Sequence, residues 1–200
     1  PHIECISVVI QEADLMKKLR EQTRGRSRGG GSSQLVIVVA GPTASGKSAL
    51  ALTVASTFSG TVINADSIQV YRELRILSNR PSPSDEASSP HRLFGVFDAV
   101  ERCSAANWRN LAITEISSAH AQGRLPIVVG GTGLYLKALL EGLSRMPAIP
   151  HQIRANLKLR LAKEGPAVLH NELKLRDPAA AERLNPGDSH RVMRALEIHE

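Results

Sequence analysis

Aromatic residues, cysteines and long apolar runs are all scarce in this 200-residue chain. Phenylalanine, tyrosine and tryptophan make up 3% of it, so we expect an aliphatic core and no nucleic-acid site built from stacked aromatic rings. Two cysteines, Cys5 and Cys103, form neither a disulfide framework nor a zinc site, and we expect reduced thiols. No apolar run reaches the roughly 18–20 residues of a membrane span, and no secretory signal is evident. We therefore expect a cytoplasmic protein with no membrane partner.

Charge is present but is not concentrated in any segment. The chain has 25 lysines and arginines against 19 acidic residues, which gives a net charge of +6. A mildly basic protein is compatible with RNA, with phosphate ligands or with neither, so charge alone does not identify a partner.

The composition divides the chain into four segments. Residues 1–34 contain a Gly/Ser/Arg-rich run, which predicts a flexible basic leader. Residues 35–146 alternate apolar β-branched runs with helical patterns, which predicts an α/β core with a parallel sheet flanked by helices. Residues 147–186 are typical of a small helical insertion, and residues 187–200 of a helix returning to the core. Because that last pattern is still running at residue 200, we expect a C-terminal part to be missing.

Individual elements follow from apolar periodicity, capping residues and helix breakers. We expect strands at 35–40, 61–65, 93–98 and 125–129, and a Pro/Ser-rich loop at 81–90. We expect helices at 49–58 (closed by Gly60), 104–122, 134–143, 151–164, 166–177, 178–184 and 189–200.

One octapeptide matches the phosphate-binding pattern G-x-x-x-x-G-K-[ST] at every defined position, between a predicted strand and a predicted helix. Its backbone amides and the helix N-terminus would surround phosphate oxygens. Lys47 would add positive charge at the terminal phosphates, and Ser48 a hydroxyl for Mg²⁺. The pattern predicts a P-loop without identifying the phosphate compound, so ATP and other nucleotides stay candidates. The eight residues are Gly41, Pro42, Thr43, Ala44, Ser45, Gly46, Lys47 and Ser48.

Asp66 is the candidate acidic group. It follows the second predicted strand, and the C-terminal ends of parallel strands open onto one crevice, where Lys47 also lies. Its carboxylate is compatible with three roles: a metal ligand, a general base, or the N-cap of the next turn. The strand at 125–129 ends in glycines, so it offers no acid of the kind with which kinases and ATPases hold Mg²⁺.

Four motifs in this order resemble those of the tRNA dimethylallyltransferase (isopentenyltransferase) family. They are 41–48 (GPTASGKS), 64–72 (NADSIQVYR), 128–135 (VVGGTGLY) and 189–197 (SHRVMRALE). The resemblance covers about residues 35–200 and therefore implies a P-loop NTPase-like fold there. His190 stands where the family often has glutamine, and Gln69 where bacterial members most often have a hydrophobic residue.

The resemblance implies transfer of a dimethylallyl group from dimethylallyl diphosphate to the N6 amine of the adenine 3′ of the tRNA anticodon, position 37, with release of diphosphate. The phosphate loop would hold the diphosphate, Lys47 and a Mg²⁺ ion on Ser48 would stabilise it as it leaves, and Asp66 would accept the amine proton. The residues that match the family's contacts with the tRNA anticodon stem-loop are Asp66, Ser67, Ile68, Gln69, Thr132, Arg154, His190, Arg191, Val192, Met193 and Arg194. An arginine with which the family also holds the diphosphate lies beyond residue 200.

Two other functions stay open. One is a small-molecule or nucleotide kinase that uses the same loop, and the other is an RNA-binding fragment without catalysis. In each case we expect a monomer.

Overall fold

The computed structural model describes residues 5–7, 35–143 and 149–199. The chain divides into two compact units, an α/β unit within residues 1–143 and a helical unit within residues 144–200. Within the described ranges, no helix combines the length and the apolar character that crossing a bilayer requires.

Five parallel strands form the sheet of the α/β unit, in the order β1-β2-β5-β3-β4. They are β1 (Cys5–Ser7), β2 (Val36–Ala40), β3 (Gly60–Asn64), β4 (His91–Arg92) and β5 (Leu125–Gly130). Successive side chains of a strand point to opposite faces, and both faces of β2 are apolar. Ile37 and Val39 therefore join the core on one face of the sheet, while Val36 and Val38 join the core on the other.

Helices cover both faces of this sheet. The helices in the described residues of this unit are α1 (Lys47–Thr57), α2 (Pro83–Ser88), α3 (Ala105–Ala121) and α4 (Gly133–Glu141). Val54 of α1 packs in the first core, and Trp108 of α3 packs in the second with Tyr135 of α4. The expected parallel sheet between helices is therefore confirmed.

The helical unit has an apolar core of its own. Its helices are α5 (His151–Glu164), α6 (Pro166–Arg176), α7 (Pro178–Arg183) and α8 (Ser189–His199). Leu157 of α5, Leu173 of α6 and Leu196 of α8 are fully or almost fully buried together. α8, which we expected to return to the sheet core, thus packs on α5 and α6. The four-segment division drawn from composition stays a prediction.

Two expected features near β4 are wrong. The segment 81–90 is not all loop, because Ser82 and Asp85 form a reciprocal capping box that starts α2. The strand expected at 93–98 is not formed: β4 ends at Arg92, and 93–98 contributes one isolated bridge from Phe97, because Leu93 and Gly95 have φ of 62° and 60° and interrupt the extended backbone.

Two further expectations differ in part from the structure: the end of the first helix at Gly60 and the flexible leader over residues 1–34. Gly60 does not close α1: Ser59 takes the positive φ of 50°, and Gly60 begins β3. A Cβ at Gly60 would lie 2.9 Å from the backbone Cα of Ala55, which cannot move aside as a side chain can, so glycine is required there for close packing. In the expected flexible leader, Cys5–Ser7 forms β1 and pairs with β2; the rest of that segment lies outside the described residues.

Candidate active site

The phosphate loop connects β2 to α1 in a tightly turned conformation. Ala44 and Gly46 have φ of 62° and 80°, so their backbones are left-handed, a conformation that glycine tolerates best. The Lys47 Nζ donates a hydrogen bond to the Pro42 carbonyl at 2.9 Å, which keeps the ammonium over the loop. The first turn of α1 carries no acidic residue, so the positive end of the helix dipole is not neutralised. The Lys47 ammonium and the N-terminus of α1 thus place positive charge at this loop, and its binding of an anion stays a prediction.

Asp66 caps the turn that follows β3. Its Oδ1 accepts hydrogen bonds from the backbone N–H of Ile68 at 2.8 Å and of Gln69 at 3.4 Å. The structure therefore confirms that Asp66 caps the next turn, which was one of the three roles considered from the sequence. It leaves the other two roles open, because a carboxylate has a second oxygen and Asp66 also lines the cavity described below.

Asn64 fixes the backbone of Asp66, and sequence analysis did not identify it as a site residue. Its side chain is fully buried; Oδ1 accepts from the Asp66 N–H at 2.8 Å, and Nδ2 donates to the carbonyls of Asp66 and Leu93, both at 3.0 Å. The Trp108 Nε1 donates to the Asn64 carbonyl at 2.8 Å. The available signal was an amide side chain at the end of a strand whose two preceding residues, Val62 and Ile63, are apolar.

Thr132 joins the loop after β5 to the Asp66 turn. Its Oγ1 accepts from the Ser67 N–H at 2.9 Å and donates to the Ser67 Oγ at 3.2 Å, while its own N–H donates to the Ala65 carbonyl at 3.3 Å. Gly130 permits this approach, since a Cβ there would lie 2.3 Å from the Ala65 carbonyl oxygen. The 128–135 motif therefore positions the Asp66 turn.

Tyr135 packs beneath these loops. Its ring stacks on Trp108 with centroids 4.5 Å apart, and its hydroxyl donates to the Cys103 carbonyl at 3.4 Å. Burial raises the pKa of Tyr135, with a smaller contribution from the Cys103 side chain, so the phenol stays neutral. Both rings therefore belong to the apolar core on this face of the sheet.

The phosphate loop and Asp66 face one cavity of about 650 Å³. Its opposite rim is the segment 77–82, which Gln69 holds by donating from Nε2 to the Ser78 carbonyl at 2.8 Å. Ile68 lies in the wall with 49% of its surface exposed. The structure thus brings together the loop, Asp66, Ile68 and Gln69, as the sequence predicted.

In the helical unit, Arg154 and Arg194 meet at one buried carboxylate. Glu197 accepts from Arg154 Nε and Nη2 at 2.7 and 3.0 Å and from Arg194 Nη1 at 2.7 Å. These hydrogen bonds raise the pKa of Arg154 and hold the pKa of Glu197 below its ordinary value, so both groups are charged at neutral pH.

The other residues of the 189–197 motif differ in exposure. His190 is exposed, and the Arg191 side chain is 76% exposed beside Asp188. Val192 and Met193 lie in the apolar core, 0% and 7% exposed. These two side chains therefore pack inside the helical unit, and the RNA contact expected for Val192 and Met193 stays a prediction.

Comparison with known proteins agrees with this geometry. The IPP transferase family model matches residues 69–200. The tRNA dimethylallyltransferases of Rhodospirillum rubrum and Rhodospirillum centenum are 58% and 53% identical over 84% and 82% of this chain. The chain spans about half the length of these curated relatives, 51% and 52%.

A solved eukaryotic dimethylallyltransferase acting on tRNA is 34% identical, with a TM-score of 0.69 over 82% of this chain and 40% of that one. The likeness extends to the P-loop NTPase-like arrangement of parallel sheet and helices, which confirms the fold class predicted from the sequence. Since the family model covers more than half of the chain, this protein belongs to the IPP transferase family.

Proposed function

We propose that this protein transfers a dimethylallyl group from dimethylallyl diphosphate to the N6 amine of adenine 37 of tRNA and releases diphosphate. The observation that carries the proposal is that residues of the phosphate-loop motif and the Asp66 carboxylate line the same cavity of about 650 Å³. A cavity of this size is within the range of small-molecule sites. The names of the relatives, tRNA dimethylallyltransferase, support the same reaction.

The phosphate loop would stabilise the leaving diphosphate. Negative charge on that group increases as the bond between C1 of the dimethylallyl group and its oxygen breaks. Lys47 Nζ is held over the loop by a neutral carbonyl, and a phosphate oxygen is a stronger partner for an ammonium group. The loop amides and the N-terminus of α1 add donors and partial positive charge around the same oxygens.

Asp66 would act as the general base. The N6 nitrogen forms its bond to C1 while the C1–O bond breaks, and the N6 proton passes to a carboxylate oxygen of Asp66. The hydrogen bonds to Oδ1, together with the buried Asn64 clamp, hold the carboxylate in one orientation. Such fixed geometry is what a general base needs to reach its proton.

Mg²⁺ fits the oxygen donors of the cavity. Both the Ser48 hydroxyl and the Asp66 carboxylate line it, and Mg²⁺ typically uses one or two protein oxygens and takes its other ligands from phosphates and water. Ser48 would hold the ion, which would supply positive charge that neutralises the leaving group.

The tRNA would contact both units. In the α/β unit we propose Ser67, Ile68 and Thr132 beside Asp66, with Gln69 holding the opposite rim. In the helical unit we propose the polar and charged residues that have exposed surface: Arg154, His190, Arg191 and Arg194. Such contacts to RNA phosphates fix the position of the substrate.

The test is transfer of label from C1-labelled dimethylallyl diphosphate into an anticodon stem-loop RNA. We expect label in the RNA together with an equal amount of diphosphate. A stem-loop with purine in place of adenine 37 lacks the amine and should accept no label. Transfer of label to that control, or transfer of phosphate from ATP without prenyl transfer, would contradict the proposal.

A further inference from the structure

Glu197 connects two helices through two arginines. It lies on α8, its side chain is 4% exposed, and it accepts one hydrogen bond from Arg194 on its own helix and two from Arg154 on α5. The arginine side chains themselves are 36% and 40% exposed. A buried carboxylate therefore supports a pair of guanidinium groups that reach the surface.

The arrangement has more positive charge than burial of the carboxylate requires. One arginine bound through two parallel hydrogen bonds is enough to compensate a buried carboxylate. The second leaves the cluster with a net charge of +1, and most of the ten guanidinium N–H groups are not used by Glu197. Two guanidinium groups placed side by side repel each other, and the Glu197 carboxylate that binds both offsets this repulsion.

We propose that Glu197 is a positioning residue for tRNA, holding Arg154 and Arg194 side by side so that their remaining N–H groups bind RNA phosphates. The proposal rests on the proposed function, since tRNA is the partner. Two neighbours extend the positive surface along the helices: Lys158, one turn after Arg154, is exposed, and Arg191 lies one turn before Arg194. Prior ordering of the arginines lowers the entropy that binding must remove.

The chain offers a matched control in the same unit. Glu172 on α6 also joins two arginines, Arg160 at 2.6 Å and Arg176 at 2.8 Å, and its side chain is 18% exposed. Glu197→Gln and Glu172→Gln both keep the side-chain size and both raise the net charge by one. If charge alone mattered, each variant would bind RNA as tightly as the wild type or more tightly.

If Glu197 positions the arginines, Glu197→Gln should instead weaken RNA binding, and Glu172→Gln should not. We measure binding of a labelled anticodon stem-loop by fluorescence anisotropy over a range of salt concentrations. Glu197→Gln should bind about tenfold more weakly, as expected for loss of a hydrogen bond to a charged group. Its slope of log affinity against log salt should fall by roughly 1 for a lost phosphate contact. Glu172→Gln should keep the wild-type slope.

Thermal unfolding of each variant shows whether the protein is folded at the assay temperature. If Glu197→Gln is not folded at that temperature, Glu197→Asp is measured in its place. This variant keeps the charge, but its side chain is too short to reach both arginines. It should therefore also bind RNA more weakly than the wild type. If the wild-type protein binds the stem-loop, and the variants at 197 and 172 have equal slopes of log affinity against log salt, only the positioning role is overturned. A wild-type protein that does not bind the stem-loop overturns the proposed function as well.

Discussion

Replacing Asp66 with asparagine separates its role in capping from its proposed role in catalysis. The asparagine carbonyl can still accept the N–H groups of Ile68 and Gln69, so loss of the charge costs at most about 1 kcal/mol of stability. With a typical 5–15 kcal/mol of stability, more than 99% of the molecules stay folded. The amide cannot take a proton, however, and loss of a general base slows the chemical step by about 10²–10⁴. This corresponds to about 2.7–5.4 kcal/mol in the barrier, well above the capping effect.

The assay is single-turnover transfer to an anticodon stem-loop at saturating concentrations of both substrates. Asp177→Asn is the matched control, because Asp177 Oδ1 likewise caps a helix, accepting from the Ala180 N–H at 2.9 Å in the helical unit. The control should show a similar change in stability and a wild-type rate. A wild-type chemical rate for Asp66→Asn would refute the general-base assignment. A defect confined to Mg²⁺-dependent diphosphate binding would instead assign the carboxylate to the metal.

Three other predictions test the loop, the strand ends and the helical unit. Lys47→Ala should weaken pyrophosphate binding, measured by calorimetry, and should raise the barrier to transfer by about 2.7–4 kcal/mol, measured by kinetics. Lys137→Ala, on the exposed face of α4, is the control and should change neither. An unchanged pyrophosphate affinity in Lys47→Ala would contradict the loop assignment. Gly130→Ala should lower the free energy of unfolding by about 1–3 kcal/mol and also slow transfer, because the methyl group collides with the backbone before Asp66. Gly133→Ala, where a Cβ meets nothing within 4 Å, is its control, and equal effects would disprove the steric argument. The folded state lowers the pKa of Glu197 from 4.5, so its contribution to stability is present above pH 4.5 and is lost as the pH falls through the lowered value. The difference in unfolding free energy between wild type and Glu197→Gln should therefore be largest near neutral pH and shrink in acid; a difference independent of pH would exclude the ionised carboxylate as its source.

Local patterns predicted the elements whose signals are strong. The apolar β-branched run before Gly41 and the capping residue Ser104 identified β2 and α3, and the structure confirms both. The region between β3 and α3 was predicted poorly. There the chain is held by contacts that have no local pattern, such as the Gln69 bond to Ser78 and the bridge between Tyr71 and Phe97.

The sequence by itself determined the phosphate loop, the alternation of strands and helices, and the presence of Asp66 at a strand end. Each of these depends on residues adjacent in the chain, where backbone conformation and periodicity are set locally. Only the tertiary structure decided that Asn64 clamps Asp66, that Thr132 binds Ser67, and that Glu197 lies between two arginines. Thr132 and Ser67 are 65 residues apart and Arg154 and Glu197 are 43 apart, and hydrogen bonds over such separations exist only once packing has brought distant elements together.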